Sequence, residues 1–167
     1  MSRLHLITGY TTRRHLLLDL DNTTLSKALR VVKLIMSDWP EVGSCLILQS
    51  SEKALKTSTR HSWNGWPWIK TEASNYHLVF NNHIGLNKCC RIAETLAVLR
   101  ILQKDYEKIR TFRGDMTLRV SEVETIGGVK PAPVAVCAVL GEKGYGDGEG
   151  IREYLNLRRC SRGILPL

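Results

Sequence analysis

The chain has no CxxC pair, no run of about 20 apolar residues and no apolar leader behind Met1-Ser-Arg-Leu-His5. The first absence, with an odd set of five cysteines (45, 89, 90, 137 and 160), sets aside a disulfide framework and a structural zinc site. Cys45 and Cys137 lie inside apolar runs and read as small buried hydrophobes, while the neighbours Cys89 and Cys90 open a helix-like stretch. The second absence indicates no membrane span, and the third is unlike a secretory signal, so a cytoplasmic location is expected. Acid is also in short supply. Sixteen Asp and Glu face 24 Lys and Arg, a net charge of +8. Such an excess suits a polyanionic partner, because each phosphate neutralised releases counterions. A basic surface kept for solubility gives the same number, so charge alone does not choose between them.

What is present reads as one α+β domain over residues 1–167. Hydrophobic content of 43% in 167 residues is enough to bury a sizeable core. His15 to Asp21 is a short apolar strand. Thr24 to Trp39 carries Leu25, Ala28, Leu29, Val32, Ile35 and Met36 at helical spacing and stops at Pro40. Ser44 to Gln49 and Tyr76 to Phe80 are two more buried strands, the latter followed by an Asn81-Asn82 turn. Asn87 to Leu102 is an amphipathic helix for which Asn87 is a plausible cap, and the charged run Asp105 to Arg113 extends it or forms a second short helix. Met116 to Val120 and Pro133 to Leu140 read as strands. A glycine-rich stretch follows from Gly141 to Gly150, and then a terminal helix from Ile151 to Leu157.

Residues 52 to 73 break the pattern. Lys53, Lys56, Arg60, His61 and Lys70 are interleaved with Trp63, Trp66 and Trp68, which fits neither period and predicts an inserted loop or hairpin. Phosphate contacts plus base stacking on such a segment can hold a single strand of nucleic acid. Tryptophans that pack the loop onto the body, or onto another copy, are the alternative.

The chemistry concentrates at Asp19 and Asp21. Two residues apart on a strand, they point to one face. Paired carboxylates repel and are costly to desolvate, which calls for a cation between them, and an oxygen-rich pair suits Mg2+ or Mn2+. Asp115, before the Met116 strand, supplies a third acid. His77 can donate to a triphosphate oxygen, and Arg119 and Lys130 can neutralise the same phosphates. Three acids with one imidazole suit two-metal nucleotidyl transfer.

In these motifs the chain resembles the archaeo-eukaryotic primase superfamily, the primase-polymerases. Leu18-Asp19-Leu20-Asp21 matches that family's apolar-Asp-x-Asp. Ser74-Asn75-Tyr76-His77, followed by Leu-Val-Phe80, matches in part its Ser-x-His before an apolar strand, with Asn75 where the serine is expected. Gly114-Asp115 is the candidate for its third, strand-edge acid. The resemblance implies an RRM-like antiparallel or mixed sheet backed by helices, with Asp19, Asp21 and Asp115 as metal ligands and His77 as a nucleotide-binding residue. It also implies nucleoside triphosphates and single-stranded or primed nucleic acid as partners, with a helicase or other replication subunit as a further possible one.

Two other readings stand beside it. Asp19-Leu-Asp-Asn-Thr23 also resembles the Asp-x-Asp-x-Thr motif of haloacid-dehalogenase-type phosphatases. There Asp19 would be the nucleophile, Asp21 the general acid/base, and Ser50 or Ser51 the phosphate-binding residue. That family's later acidic pair has no counterpart here, since Arg119 lies four residues after Asp115. The third reading is a non-catalytic RRM-like module that binds nucleic acid through its sheet. Singly, each residue has an ordinary role: Asp21 as a cap for the helix near Thr24, His77 as a core histidine, Asp115 as a turn residue.

Overall fold

The structure, a computed structural model, describes residues 9–52, 74–102, 114–126, 128–142 and 148–160. The basic and aromatic residues Lys53, Lys56, Arg60, His61, Trp63, Trp66, Trp68 and Lys70, and the charged run 105–113, lie outside the described residues.

The fold is α+β. In chain order the elements are β1 (Gly9–Thr12), β2 (Leu17–Thr23), α1 (Leu25–Asp38), a 3-10 turn (Pro40–Val42), β3 (Cys45–Glu52), β4 (Ser74–Phe80), α2 (Leu86–Val98), β5 (Met116–Arg119), β6 (Val123–Thr125), β7 (Gly128–Lys130), β8 (Val134–Val139) and α3 (Gly150–Cys160). Every strand pairing is antiparallel. The main sheet runs β2-β4-β3-β8; β1 with β5 and β6 with β7 form two-stranded ribbons, and β5 lies beside β2.

Alternation sorts the sheet into two faces. Leu18, Leu20, Leu78 and Ile47 fall on one and are buried, whereas Asp19 and His77 fall on the other. α1 crosses β2, β4 and β8 and brings Ala28, Val32 and Ile35 into the core, joined by Cys89, Ile92, Ala93 and Leu96 of α2. Each Val, Ile or Leu among these removed from water contributes roughly 1.5–3 kcal/mol before conformational entropy is set against it. Among the described residues no helix is long and apolar enough to cross a membrane.

Helix ends differ in part from expectation. Thr24 is the cap of α1, its Oγ1 accepting from the Lys27 N–H at 3.2 Å, so that end needs no help from Asp21. At α2 the expected cap was Asn87, but Gly85 holds that position at φ +79°, a conformation that costs little without a Cβ, and Asn87 sits exposed in the first turn. The same helix stops at Val98 instead of reaching Leu102. Arg100 turns left-handed (φ +57°), and the Ile101 and Arg100 N–H groups return to the carbonyls of Leu96 and Ala97, a Schellman closure. Cys137, expected inside, is half-buried because β8 is the outer strand of its sheet.

α3 is docked by polar contacts as well as by packing. Asn81 at the end of β4 accepts from Gly150 N–H through its carbonyl (3.1 Å) and from Ile151 N–H through Oδ1 (3.3 Å). A Cβ on Gly150 would stand 2.5 Å from the Phe80 carbonyl oxygen, which makes glycine the residue that lets the helix approach. Tyr10 and Tyr154 meet edge to face at 6.0 Å, and the Tyr10 hydroxyl donates to Glu153 Oε2 at 2.6 Å. Its one proton being used there, the Tyr10 oxygen accepts from Nδ1 of buried His15 at 3.2 Å. Burial lowers the His15 pKa, outweighing the pull of Glu153 in the other direction, while His83 and Arg14 add to the lowering. Below about pH 6.5 the unfolded chain therefore takes up a proton at this position that the folded protein resists. Stability should fall as pH drops from about 7 towards 5. In thermal unfolding across that range, His15→Gln should flatten the slope of the midpoint against pH relative to the parent chain.

Candidate active site

The site begins with one cross-strand pair. Asp19 on β2 lies opposite His77 on β4, and His77 lies opposite Leu48 on β3. The His77 Nε2 is 3.8 Å from Asp19 Oδ1, with the imidazole buried and the carboxylate about one-third exposed. At that distance the contact is electrostatic, beyond hydrogen-bond length.

One step along, both neighbours of β4 leave regular register. Leu20 pairs with Tyr76 and Thr23 with Ser74, so Asp21 and Asn22 together oppose Asn75. Gln49 pairs with Tyr76 and Ser51 with Asn75, which leaves Ser50 as the extra residue on the other side. Two bulges therefore flank Asn75, one presenting Asp21 and the other Ser50. Bulges re-aim side chains in this way beside functional sites. Asn22 is left-handed (φ +50°), and its N–H donates to Asn75 Oδ1 at 2.8 Å.

These residues line one open cavity of about 220 Å³ with Asp19, Asp21, Ser50, Asn75, His77, Thr117, Leu118, Arg119 and Lys130 in its wall. The structure thus brings together Asp19, Asp21, His77, Ser50, Arg119 and Lys130, residues far apart in the chain. Asp115 is not in the wall. It precedes β5, and Thr117 Oγ1 donates to its carboxylate at 3.2 Å. The β5 positions that reach the cavity are Thr117, Leu118 and Arg119, leaving Asp115 a further two residues, about 7 Å, back along the strand direction. Among the described residues no three His, Cys, Asp or Glu side chains are grouped to hold a metal ion.

Arg119 was expected to meet phosphate, but its guanidinium is bound to backbone carbonyls. Nη1 donates to Ser121 (2.7 Å), Lys130 (3.3 Å) and Pro131, and Nη2 donates to Ser50. The side chain ties β5 to the end of β3 and to the segment between β7 and β8. Burial lowers its pKa, with Tyr154 and Asp19 opposing, and an arginine so shifted still keeps its charge near neutral pH. Lys130 stays exposed at the cavity wall. Behind the wall, Tyr154 of α3 donates to the Arg119 carbonyl at 2.8 Å, and burial raises its pKa so that it stays a neutral phenol.

Asn75, Thr117 and Tyr154 were not singled out by sequence reasoning as site residues. Period-2 spacing from Arg119 could have found Thr117, but Asn75 becomes central only through the strand pairing.

Compared with protein-family models, curated proteins and solved structures, the chain matches none.

Removing the Arg119 fork should be felt throughout this wall. Arg119→Met leaves carbonyls without their donor and should cost roughly 2–3 kcal/mol of stability. Arg119→Lys should recover only part of it, since an ammonium lacks the planar fork. Urea unfolding with an unchanged m-value checks both.

Proposed function

We propose that the chain is a metal-dependent nucleotidyltransferase of the primase-polymerase kind, adding nucleotides to a nucleic-acid strand. The observation that carries this reading is the single cavity in which Asp19, Asp21 and buried His77 stand with Ser50 and Lys130. The strand order supports it as well. The succession β2-α1-β3-β4-α2-β5, with β4 between β2 and β3, follows the order a split β-α-β core would have, though β5 pairs with β1 and only lies beside β2.

The residues present fit a hard divalent cation. Asp19 and Asp21 offer oxygen ligands on one face of the sheet, and magnesium is commonly held by one or two carboxylates, with water and substrate phosphates completing the shell. Asp115, set back along β5, is not needed for that ligand set. When bound, Mg2+ or Mn2+ would supply charge neutralisation at the transferring phosphate and activation of the attacking hydroxyl. His77 is held by its burial beside Asp19, ready to donate to a phosphate oxygen. Ser50 adds a hydroxyl, and Lys130 an exposed positive charge at the cavity wall. For the nucleic acid itself, the basic and aromatic stretch from Lys53 to Lys70 has the composition that a single strand requires.

A phosphatase reading, with Asp19 as nucleophile, Asp21 as general acid/base and Ser50 on the phosphate, draws on the same cavity because Ser50 faces the two acids there. It leaves His77, the cross-strand partner of Asp19, without a task.

Incubation with labelled nucleoside triphosphate, a primed template and Mn2+ separates the two. Primer extension is expected. Asp19→Asn and Asp21→Asn should each reduce it by about 100-fold or more with thermal stability kept or raised, because like-charge repulsion is relieved. His77→Ala should raise the apparent KM for nucleotide by roughly tenfold, the loss of a charge-assisted hydrogen bond. Phosphate release from a phosphomonoester without extension, with beryllofluoride trapped on Asp19 and no sensitivity to His77→Ala, would establish the phosphatase instead. Strand binding without either reaction would leave a binding module.

A further inference from the structure

We propose that Asn75 is the positioning residue for Asp21, acting through the backbone of Asn22; this rests on the reading of Asp19 and Asp21 as cation ligands. Regular alternation would place Asp19 and Asp21 on one face, but β2 stops being regular between them and the helix cap. Asp21 and Asn22 share a single partner, and the chain must enter the left-handed region at Asn22 (φ +50°) before Thr24 can cap α1. Left-handed asparagine is tolerated but not preferred, so the conformation needs a local hold.

Asn75 supplies that hold. Its Oδ1 accepts the Asn22 N–H at 2.8 Å from the adjacent strand. The other neighbour, β3, bulges at the same level, at Ser50, so Asn75 stands where both ladders are interrupted. Asn75 is itself anchored in β4, two residues from His77, and lines the same cavity. One side-chain bond thereby holds the Asp21–Asn22 peptide, and with it the direction in which the Asp21 carboxylate leaves the strand. A serine at position 75 would be one atom shorter and would fall short of Asn22. An aspartate there would keep the acceptor. Groups that orient a metal ligand in this fashion typically change metal affinity by about 10- to 100-fold when removed.

The test is direct Mn2+ binding, read from the free-ion electron paramagnetic resonance signal, in the parent chain, Asn75→Ala, Asp21→Asn and the double variant. Asn75→Ala should weaken Mn2+ binding about tenfold when Asp21 is present and have no further effect once Asp21→Asn is in place. Amide hydrogen exchange at Asn22 should quicken in Asn75→Ala. Asn75→Asp should bind Mn2+ at least as tightly as the parent, because the acceptor is kept. If Asn75→Ala does not fold, Asn75→Ser carries the same comparison. An equal loss with and without Asp21, no loss at all, or a comparable loss in Asn75→Asp would overturn the positioning role while leaving the cation site standing. A parent chain that binds no Mn2+, or binding untouched by both Asp19→Asn and Asp21→Asn, would remove the cation reading and this inference with it.

Discussion

β4 is the constraint on which the rest depends. It is hydrogen-bonded on both sides, to β2 and to β3, and its burial runs through Tyr76, His77, Leu78, Val79 and Phe80. With both ladders in place, alternation leaves no choice about the faces: Leu78 faces the core, and His77 is set against Asp19. A slip of one residue on either side would exchange the two sets. It would carry Asp19 onto the face where Leu18, Leu20, Leu78 and Ile47 are buried. The hydrophobic pattern that builds the core therefore also fixes the geometry of the polar face.

That polar face is assembled under an electrostatic tension. Two carboxylates and a buried imidazole line the cavity together with two cationic groups, Arg119 and Lys130. The cations are not equivalent. Arg119 uses its planar fork to hold carbonyls from three segments, and so shapes the wall, whereas Lys130 keeps an exposed ammonium at the rim. The difference follows from their surroundings: a half-buried guanidinium needs several acceptors, and loop carbonyls freed from ladder pairing need donors. α3 joins this arrangement from behind, with Tyr154 on the Arg119 carbonyl and Glu153 on Tyr10. Helix docking and the cavity wall thus share residues.

Much of this was legible in particular residues before the structure. Ala28, Val32 and Ile35 announced α1 by spacing, and the run Leu16-Leu17-Leu18 before Asp19 announced a buried strand with an acid at its end. His77 was named from its place on the Tyr76 strand, Ser50 from the end of the Leu46-Ile-Leu48 strand and Lys130 from its charge, and the cavity contains them. β1 went unread because Gly9-Tyr-Thr-Thr12 is short, polar and without an apolar alternation; it is a strand because β5 pairs with it. Asn87 was taken for a cap because side-chain chemistry is visible in sequence, while the left-handed backbone at Gly85 is not. Asp115 was grouped with the other acids by order along the chain, which says nothing about how far along β5 the cavity extends.

By itself, the sequence determined the local periods, the positions of the strand-end acids and the basic balance of the chain, because these depend on side-chain type and spacing alone. Only the tertiary structure decided which of the polar residues meet. The pairing of Asp19 with His77, the two bulges beside Asn75 and the carbonyl fork of Arg119 each join segments far apart in the chain, and their existence depends on register, which is set by how the whole apolar face packs.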